Sequence, residues 1–162
     1  GFIWCTPLQL ARMTAGLVTG GSLVTPRLLK STKQTNLDIS PLNLNPKHLR
    51  VVVDGMNKVT NGSRGTARGV SRPSSSFRFG GKTGSVQVKR ITLDDRRVGN
   101  VKNKDKPWAE RDHAMFVGYA PLNSPRYVVS VVVEHGGGGS TMAAPIARDI
   151  LEKTIELDPV AL

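Results

Sequence analysis

Apolar residues repeat at helical spacing in three stretches of the chain and at strand spacing in three others. The first helical stretch carries Leu10, Met13 and Leu17 on one stripe, three or four residues apart. Thr6 is a suitable N-cap and Pro7 a suitable first helical residue, and a pair of glycines at positions 20 and 21 follows the pattern. The sequence therefore predicts a helix that begins at Pro7 and ends before position 20.

A second helix is predicted after Asn45, which can cap it, with Pro46 in the first position and Gly62 behind its end. Its apolar stripe keeps the 3.6-residue period and consists of Leu49, Val52, Val53, Met56 and Val59. A third helix follows the run GGGGS at positions 136–140. Its predicted inward face consists of Ile146, Ile150, Leu151, Thr154 and Ile155.

Three segments rich in β-branched and aromatic residues predict strands, at positions 77–90, 113–121 and 126–136. The last two are separated only by LNSP, which indicates an antiparallel hairpin. Residues 63–76, rich in Gly, Ser and Arg, and the charged residues 91–112 are predicted to be loops. The order of helix, helix, three strands and helix predicts an α+β domain, in which helices flank an antiparallel sheet.

Composition adds positive charge but no metal or redox chemistry. The 162 residues, a length that suits one domain, include 23 basic and 12 acidic residues and carry a net charge of +11. Such an excess favours anionic partners. Cys5 has no disulfide partner, and His48, His113 and His135 are far apart, so no metal or other cofactor is expected. His113 is interpreted as a structural or surface residue rather than a catalytic one.

A nucleic-acid-binding module is one interpretation of this charge. Basic residues cluster between positions 64 and 97, where they could neutralise phosphates. Against this interpretation, aromatic residues make up only 5% of the chain, and no helix-turn-helix, zinc-finger or RNA-recognition signature occurs. Charge alone leaves the alternative open.

The segment GGKTGSVQV, at positions 80–88, has a more specific pattern. A phosphate-binding P-loop would need a glycine where Ser76 stands and a helix after the lysine, so that motif is excluded. On a strand, Thr83 and Ser85 share one face and Lys82 lies on the other. The segment is therefore predicted to be a strand with polar groups on both faces.

Such a strand can bind an extended peptide along its edge. Gly81 and Gly84 lack Cβ atoms, so a peptide backbone could lie close to them. The Thr83 hydroxyl would bind a terminal carboxylate, Lys82 would supply a positive field, and the backbone N–H of Ser85 would help to stabilise an oxyanion. An exposed Lys-Thr pair on an ordinary edge strand is the alternative interpretation.

Four blocks of the chain, in the same order, resemble the C-terminal part of the transpeptidase domain of class B penicillin-binding proteins. The blocks are TPLQLA with TGG behind it, VVVDGMNKVTN…GTA, GKTGSVQV, and RDHAMFVGYAP…RYVVSVVVEHGGGGSTMAAPIARDI. The last block is most similar to elongation-type members, and the resemblance extends from about Thr6 to Ile155. It implies a partial penicillin-recognising fold, in which the N-terminal strands and the nucleophile helix are expected to be missing from this chain.

The resemblance implies a serine D,D-transpeptidase, which joins peptidoglycan stem peptides through an acyl-enzyme. The family uses three motifs, S-x-x-K, S-x-N and K-T-G. Only the third motif is present, as Lys82, Thr83 and Gly84, and the resemblance implies that these residues are catalytic. It also implies that Thr83 and Ser85 bind the substrate and that the Ser85 backbone N–H stabilises the oxyanion. In the family the motif usually continues as K-T-G-T-A, whereas this chain has Ser85 and Val86 at the last two positions. The difference does not affect the proposed oxyanion contact, because that contact needs only the backbone N–H of residue 85.

The same resemblance implies partners and a location. Stem peptides or their lipid-linked precursor would be the substrates, β-lactams the inhibitors, and proteins of the elongation machinery the partners, with no role for nucleic acid. The location would be the periplasmic face of the bacterial inner membrane, with the anchor outside this chain. Since the nucleophile would also lie outside it, the chain alone is expected to be inactive. A β-lactamase or D,D-carboxypeptidase relative, or a non-catalytic sensor, is the alternative on the same scaffold.

The strand at 126–136 is expected to have a bare edge. In the family, the strands that pair beside it come from chain before the nucleophile helix. An apolar edge of this kind is a template for pairing with another strand. Self-association through 126–136, or pairing with a missing segment, is therefore predicted.

Overall fold

A computed structural model describes residues 4–29, 39–71, 77–99 and 101–158 of the chain. Within these ranges the α-helices are α1 (Pro7–Val18), α2 (Pro46–Asn61), α3 (Leu93–Val98) and α4 (Ala144–Leu157). The strands are β1 (Ser22–Val24), β2 (Ile39–Pro41), β3 (Gly80–Val86), β4 (His113–Ala120) and β5 (Tyr127–Val133).

The main sheet contains β3, β4 and β5 in that order, and both pairs are antiparallel. Lys82 on β3 lies opposite Val117 on β4, which lies opposite Ser130 on β5. β4 and β5 form the predicted hairpin. β1 and β2 form a separate two-stranded ladder, whose pairing the sequence did not predict. The prediction of an α+β fold, with an antiparallel sheet and flanking helices, is confirmed.

The hydrophobic core lies between the sheet and α4. Phe79, Phe116 and Leu151 are each 1% exposed and belong to one buried cluster. α1 and α2 lie on the other side of the sheet, where they form a groove with Met115 and Val117 of β4. The sheet is therefore covered by helices on both faces, and α2 adjoins β3 in particular.

The predicted starts of α1 and α2 are confirmed by their caps. The Thr6 side chain accepts a hydrogen bond from the Gln9 N–H at 3.2 Å, and the Gln9 side chain accepts one from the Thr6 N–H at 2.8 Å. The Asn45 side chain accepts a hydrogen bond from the Lys47 N–H at 2.9 Å. These local bonds satisfy N–H groups that the first helical turns leave unpaired.

Residues 91–112, predicted to be a loop, contain α3 and two 3₁₀ turns at Asn103–Asp105 and Trp108–Glu110. α3 begins with a capping box, in which the Asp95 N–H donates to the Thr92 hydroxyl at 3.2 Å. A hydrogen bond from the Thr92 backbone to the Asp95 carboxylate lowers the pKa of Asp95. The loop prediction was wrong here, because it overlooked this Thr-x-x-Asp start within a charged segment.

Residues 63–76 were also predicted to be a loop, and residues 72–76 lie outside the described residues. The rest of the segment consists of turns and a 3₁₀ helix at Arg68–Val70. Ala67 and Val70 are 1% and 6% exposed and belong to the core cluster. The described part therefore lies at the surface, as predicted, but it is anchored by these two side chains, which pack into the core.

α4 contacts the sheet through small residues. Ala144 and Ala147 are fully buried and lie on the same side of the helix as Leu151. Ile146 and Ile150, predicted to face inward, are 43% and 46% exposed. The prediction was wrong for these two isoleucines because it followed the bulky residues, whereas alanines let the helix axis approach the sheet closely.

β5 is the last strand of the described sheet. Its outer edge has no strand partner among the described residues, in agreement with the expectation for 126–136. Val132 on this strand is 36% exposed, and the Ser130 hydroxyl is buried without a hydrogen-bond partner in the described part of the chain. Unpaired backbone groups on such an edge can hydrogen-bond to another strand.

The position of α4 predicts different costs for two matched truncations. Leu151→Ala should lower the free energy of unfolding by about 2–5 kcal/mol, because it opens a cavity in the core. Ile150→Ala should cost less than about 1 kcal/mol, because nearly half of its side chain is already in water. Urea unfolding of both variants measures the two costs, and equal losses would contradict this orientation of α4.

Candidate functional site

The Lys-Thr-Gly segment lies in the middle of β3, at the opposite edge of the sheet from β5. Lys82 and Ser85 are exposed, and Thr83 and Gly84 are half-buried. β3 pairs with β4 on one side, and no described strand pairs with it on the other. The segment can therefore be reached from beyond the edge of the sheet.

The two faces of β3 carry different groups, as the sequence predicted. Thr83 lies opposite Phe116 and Ser85 opposite Ala114, and both β4 residues belong to the core on the α4 side. Directly opposed residues of antiparallel strands share a face. Thr83 and Ser85 therefore lie on the α4 side, and the side chain of Lys82 starts from the opposite face.

The polar groups of the segment make two short contacts. The Lys82 Nζ donates to the carbonyl oxygen of Thr83 at 2.6 Å. The Thr83 hydroxyl lies 3.0 Å from the hydroxyl of Thr66, and either can be the donor. Because this contact uses one of the two hydroxyl hydrogens, the other remains available for an anionic group.

Thr66 was not predicted as a site residue, although it belongs to the GTA block of the sequence. It lies in the turn after α2, where Gly65 closes against the end of the helix. A Cβ on Gly65 would come within 2.3 Å of the Val59 carbonyl oxygen and 2.4 Å of that of Lys58. This tight turn brings Thr66 to β3, and a glycine immediately before a threonine was the signal that could have identified it.

A groove of about 550 Å³ opens beside Lys82, Thr83 and Gly84. Its other walls are mainly apolar side chains of α1, α2 and β4, among them Met13 and Met56. None of the described residues that line it is acidic. An apolar wall lowers the local dielectric constant and so strengthens the field of the Lys82 ammonium group. The groove therefore suits a ligand with an anionic group next to apolar surface.

α2 fixes the chain where β3 begins. The buried Thr60 hydroxyl donates to the carbonyl oxygen of Phe79 at 2.6 Å, and the Asn61 side-chain amide donates to the same oxygen at 2.9 Å. The Ser71 hydroxyl donates to the Thr60 carbonyl at 2.7 Å. Because Phe79 immediately precedes β3, these bonds set the position of the strand relative to α2.

The three glycines of β3 differ in what a side chain at each position would contact. A Cβ on Gly80 would lie 2.7 Å from the Tyr119 ring, and one on Gly81 would lie 2.3 Å from the Phe116 ring. These positions are glycine because side chains of β4 cross the strand. Gly81 therefore makes room for the Phe116 ring, and the expectation that it makes room for a ligand was wrong. A Cβ on Gly84 would make only an ordinary contact of 3.4 Å. Packing within the protein therefore does not explain the glycine at position 84.

Tyr119 has a tightly packed ring and a buried hydroxyl group. The residue is fully buried, and its hydroxyl has no hydrogen-bond partner among the described residues. Burial raises the pKa of Tyr119, and the negative charge of Asp54 on α2 raises it further. The hydroxyl is therefore neutral at physiological pH, and the contribution of this residue is the contact of its ring with Gly80.

His113 and His135 form a cluster at the end of the sheet. The backbone N–H of His135 donates to His113 Nδ1 at 2.9 Å, and the two rings meet edge to face. The His135 ring centroid lies 4.1 Å from that of Trp108, and its Nδ1 lies 3.0 Å from the Arg111 carbonyl oxygen. These contacts agree with the interpretation of His113 as a structural residue.

Two further features concern only the described parts of the chain. There, His, Cys, Asp and Glu side chains do not gather in a group of three that could hold a metal ion. In the same ranges, every helix is too short or too polar to cross a membrane.

The fold is that of a penicillin-recognising domain, and comparison with known proteins gives the family. The family model described as "Penicillin binding protein transpeptidase domain" matches residues 1–152. The chain belongs to this family, which confirms the resemblance derived from the four sequence blocks.

Two of the curated relatives are named peptidoglycan D,D-transpeptidases. Peptidoglycan D,D-transpeptidase MrdA of Haemophilus influenzae is 34% identical over 160 residues, which cover 94% of this chain and 24% of the relative. The protein of the same name from Acinetobacter baumannii is 31% identical, and the match covers 90% of this chain and 22% of the relative. The chain thus spans about a quarter of the length of these relatives.

Solved structures of the same family have a similar fold. Penicillin-binding protein PBP2 of Pseudomonas aeruginosa was solved in complex with WCK 5153, and it matches with a TM-score of 0.76 and 35% sequence identity. The match covers 98% of this chain and 32% of the Pseudomonas chain. PBP2 of Helicobacter pylori, solved in complex with MreC, matches with a TM-score of 0.73 and 31% identity over 94% of this chain and 25% of that one.

The packing of β3 predicts opposite outcomes for two glycine substitutions. Gly81→Ala should lower the free energy of unfolding by about 1–3 kcal/mol or more, because its Cβ meets a ring and a backbone oxygen. Gly84→Ala should leave stability unchanged or raise it by about 0.4–1 kcal/mol, because it restricts the unfolded chain at a position with room for a methyl group. Urea unfolding compares them, and a larger loss for Gly84→Ala would contradict this packing.

Proposed function

We propose that the protein containing this chain is an elongation-type peptidoglycan D,D-transpeptidase, and that the chain forms the carboxylate-binding wall of its active site. The observation that carries the proposal is the accessible edge of β3, where Lys82, Thr83 and Gly84 lie beside a groove without acidic lining among the described residues. The relatives named peptidoglycan D,D-transpeptidase MrdA support this reaction.

In this proposal the stem peptide lies along the outer edge of β3 as an additional strand. Its terminal carboxylate accepts hydrogen bonds from the paired hydroxyls of Thr83 and Thr66, which lie 3.0 Å apart. The Lys82 ammonium group supplies the positive field, after exchanging its contact with the Thr83 carbonyl for one with the ligand. Gly84 keeps the groove side of the strand free of a side chain.

The reaction would use a serine and a lysine base, in an S-x-x-K motif that this chain does not contain. The serine oxygen bonds to the carbonyl carbon of the penultimate D-Ala, the bond to the terminal D-Ala breaks, and the serine proton passes to the leaving amine. An amine of a neighbouring stem then displaces the serine, which regains a proton. The Ser85 backbone N–H would donate to the oxyanion that forms in each step.

The same proposal specifies ligands, partners and location. Stem peptides or their lipid-linked precursor are the substrates, and β-lactams acylate the same serine. The protein acts at the periplasmic face of the bacterial inner membrane with other elongation-machinery proteins. The complex of Helicobacter pylori PBP2 with MreC supports a partner of that kind.

Two lysine variants of the full-length protein test the role of β3. Lys82→Ala should slow acylation by a fluorescent penicillin about 10²- to 10³-fold, the usual cost of removing one preorganised electrostatic group. Lys89→Ala is the matched control, because this exposed lysine pairs with Glu110 at 2.9 Å just beyond β3. It should acylate at the wild-type rate.

Three results would contradict the proposal. An unlabelled wild-type full-length protein would contradict the transpeptidase assignment, and equal rates for the two lysine variants would contradict the role of Lys82. Rapid release of hydrolysed penicillin would favour a β-lactamase. The 162-residue chain alone should remain unlabelled, and covalent labelling of it would show that a nucleophile lies within the chain.

We also propose that another strand covers the outer edge of β5, from a part of the protein outside this chain or from a second copy. The unpaired edge of β5 in the described sheet supports this. The 162-residue chain should therefore elute as a dimer or larger assembly in size-exclusion chromatography with light scattering. A monomer at all concentrations, with backbone amides of β5 exchanging rapidly on its outer side, would contradict the proposal.

A further inference from the structure

The glycine run at positions 136–139 has no role in the proposed chemistry, yet its last residue, Gly139, lies directly against β3. It leads into a π-helical turn at Gly139–Ala143, which continues as α4. This turn packs on β4 and β3 on the face that carries Thr83 and Ser85. Gly139 itself is buried.

Gly139 approaches the backbone of the Lys-Thr-Gly segment without an intervening side chain. A Cβ at this position would lie 2.5 Å from the carbonyl oxygen of Gly84, 2.9 Å from its nitrogen and 2.3 Å from the carbonyl oxygen of Met115. Gly84 and Met115 are directly opposed in the β3–β4 ladder. Because all three contacts are with backbone atoms of a sheet, no side-chain rotation could relieve them.

The neighbouring glycines have other contacts. A Cβ on Gly138 would meet the hydroxyl of Thr141 at 2.8 Å, a group within the same turn. Gly137 has a φ of +81° and lies against the Asn103 side chain. A Cβ on Gly136 would meet Val133 at 2.8 Å. These three glycines shape the path of the chain, whereas Gly139 contacts the site strand.

The position of Gly139 explains what this contact does. On β3, the side chains of Thr83 and Ser85 point towards α4. Gly84 lies between them, so only backbone atoms are present on that face at position 84. Gly139 occupies this gap. It therefore supports the peptide unit that joins Gly84 to Ser85 and carries the Ser85 N–H.

We infer that Gly139 is a positioning residue, which sets the placement of the Thr83 hydroxyl and the Ser85 N–H through the backbone of Gly84. The inference rests on the proposed transpeptidase function. A methyl group at Gly139 would push β3 and the turn apart, because real Cβ atoms do not approach backbone atoms within 3.0 Å. A displacement of about 1 Å at a catalytic group can lower a rate about a hundredfold.

The test measures acylation of the full-length protein by a fluorescent penicillin, with the binding constant and the acylation rate constant determined separately. Rates are normalised to the folded fraction at a temperature below all unfolding midpoints. Gly139→Ala should lower the acylation rate constant about 10- to 100-fold. Gly69→Ala is the matched control, because a Cβ there would meet nothing within 4 Å.

A second control separates positioning from general instability. Leu151→Ala removes core packing in α4, and it should lower the unfolding midpoint while leaving the acylation rate constant per folded molecule within about twofold of wild type. If Gly139→Ala is folded and also acylates within twofold of wild type, the inference is wrong. If the wild-type protein itself is not acylated, the proposed function fails instead.

A milder pair of variants keeps the inference testable if Gly139→Ala does not fold. The exposed Thr141 donates from its hydroxyl to the Gly138 carbonyl at 3.0 Å and so closes the turn that carries Gly139. Thr141→Ala should lower the acylation rate constant severalfold with little change in the unfolding midpoint, and Thr141→Ser should restore it. An unchanged rate constant in Thr141→Ala, together with an unfolded Gly139→Ala, would overturn the inference.

Discussion

Close packing against the backbone of β3 is the constraint on which the candidate site depends. The Tyr119 ring lies over Gly80 on one face of the strand, and the Phe116 ring lies over Gly81 on the other. Gly139 then contacts the backbone at Gly84. An edge strand is normally the least constrained strand of a sheet, since only one of its sides is paired. Here groups of the protein pack on both faces of the strand, so the strand is held while its outer edge and the groove beside Lys82 stay accessible.

This packing connects the site to elements that are distant in sequence. α2 holds the start of β3 through the two hydrogen bonds from Thr60 and Asn61 to the Phe79 carbonyl. The turn after α2 supplies Thr66, and the turn before α4 supplies Gly139. A group that stabilises an oxyanion is effective when it is fixed before the reaction begins. In the proposed function, the contacts around β3 would provide this kind of fixation for the Ser85 N–H.

Local signals in the sequence were sufficient for the helix starts and for the faces of β3. The caps at Thr6 and Asn45 involve residues two or three positions apart, and strand alternation alone separates Thr83 from Lys82. Features that depend on tertiary contact were not predictable in this way. The contact of Thr66 with Thr83 joins residues 17 positions apart.

Two errors in the sequence predictions have the same physical origin. The face of α4 was assigned from its large residues, but the fold uses Ala144 and Ala147 to bring the helix close to the sheet, and this leaves Ile150 half-exposed. Gly81 was assigned to ligand binding, but the ring of Phe116 occupies the space. In both cases the sequence identifies a small residue, and only the structure identifies the atom that fills the space beside it.

The net charge of +11 could not distinguish nucleic-acid binding from transpeptidation, because it says nothing about where the charges lie. Exposed charges act mainly by steering, and physiological salt screens them beyond about 8 Å. Lys89 is such a charge and is already paired with Glu110. Lys82 is also exposed, but it borders an apolar groove, and a ligand that filled this groove would displace the water that screens its charge. In the proposed transpeptidase, this one ammonium group would therefore contribute more to the binding of a peptide carboxylate than the many basic residues that produce the net charge.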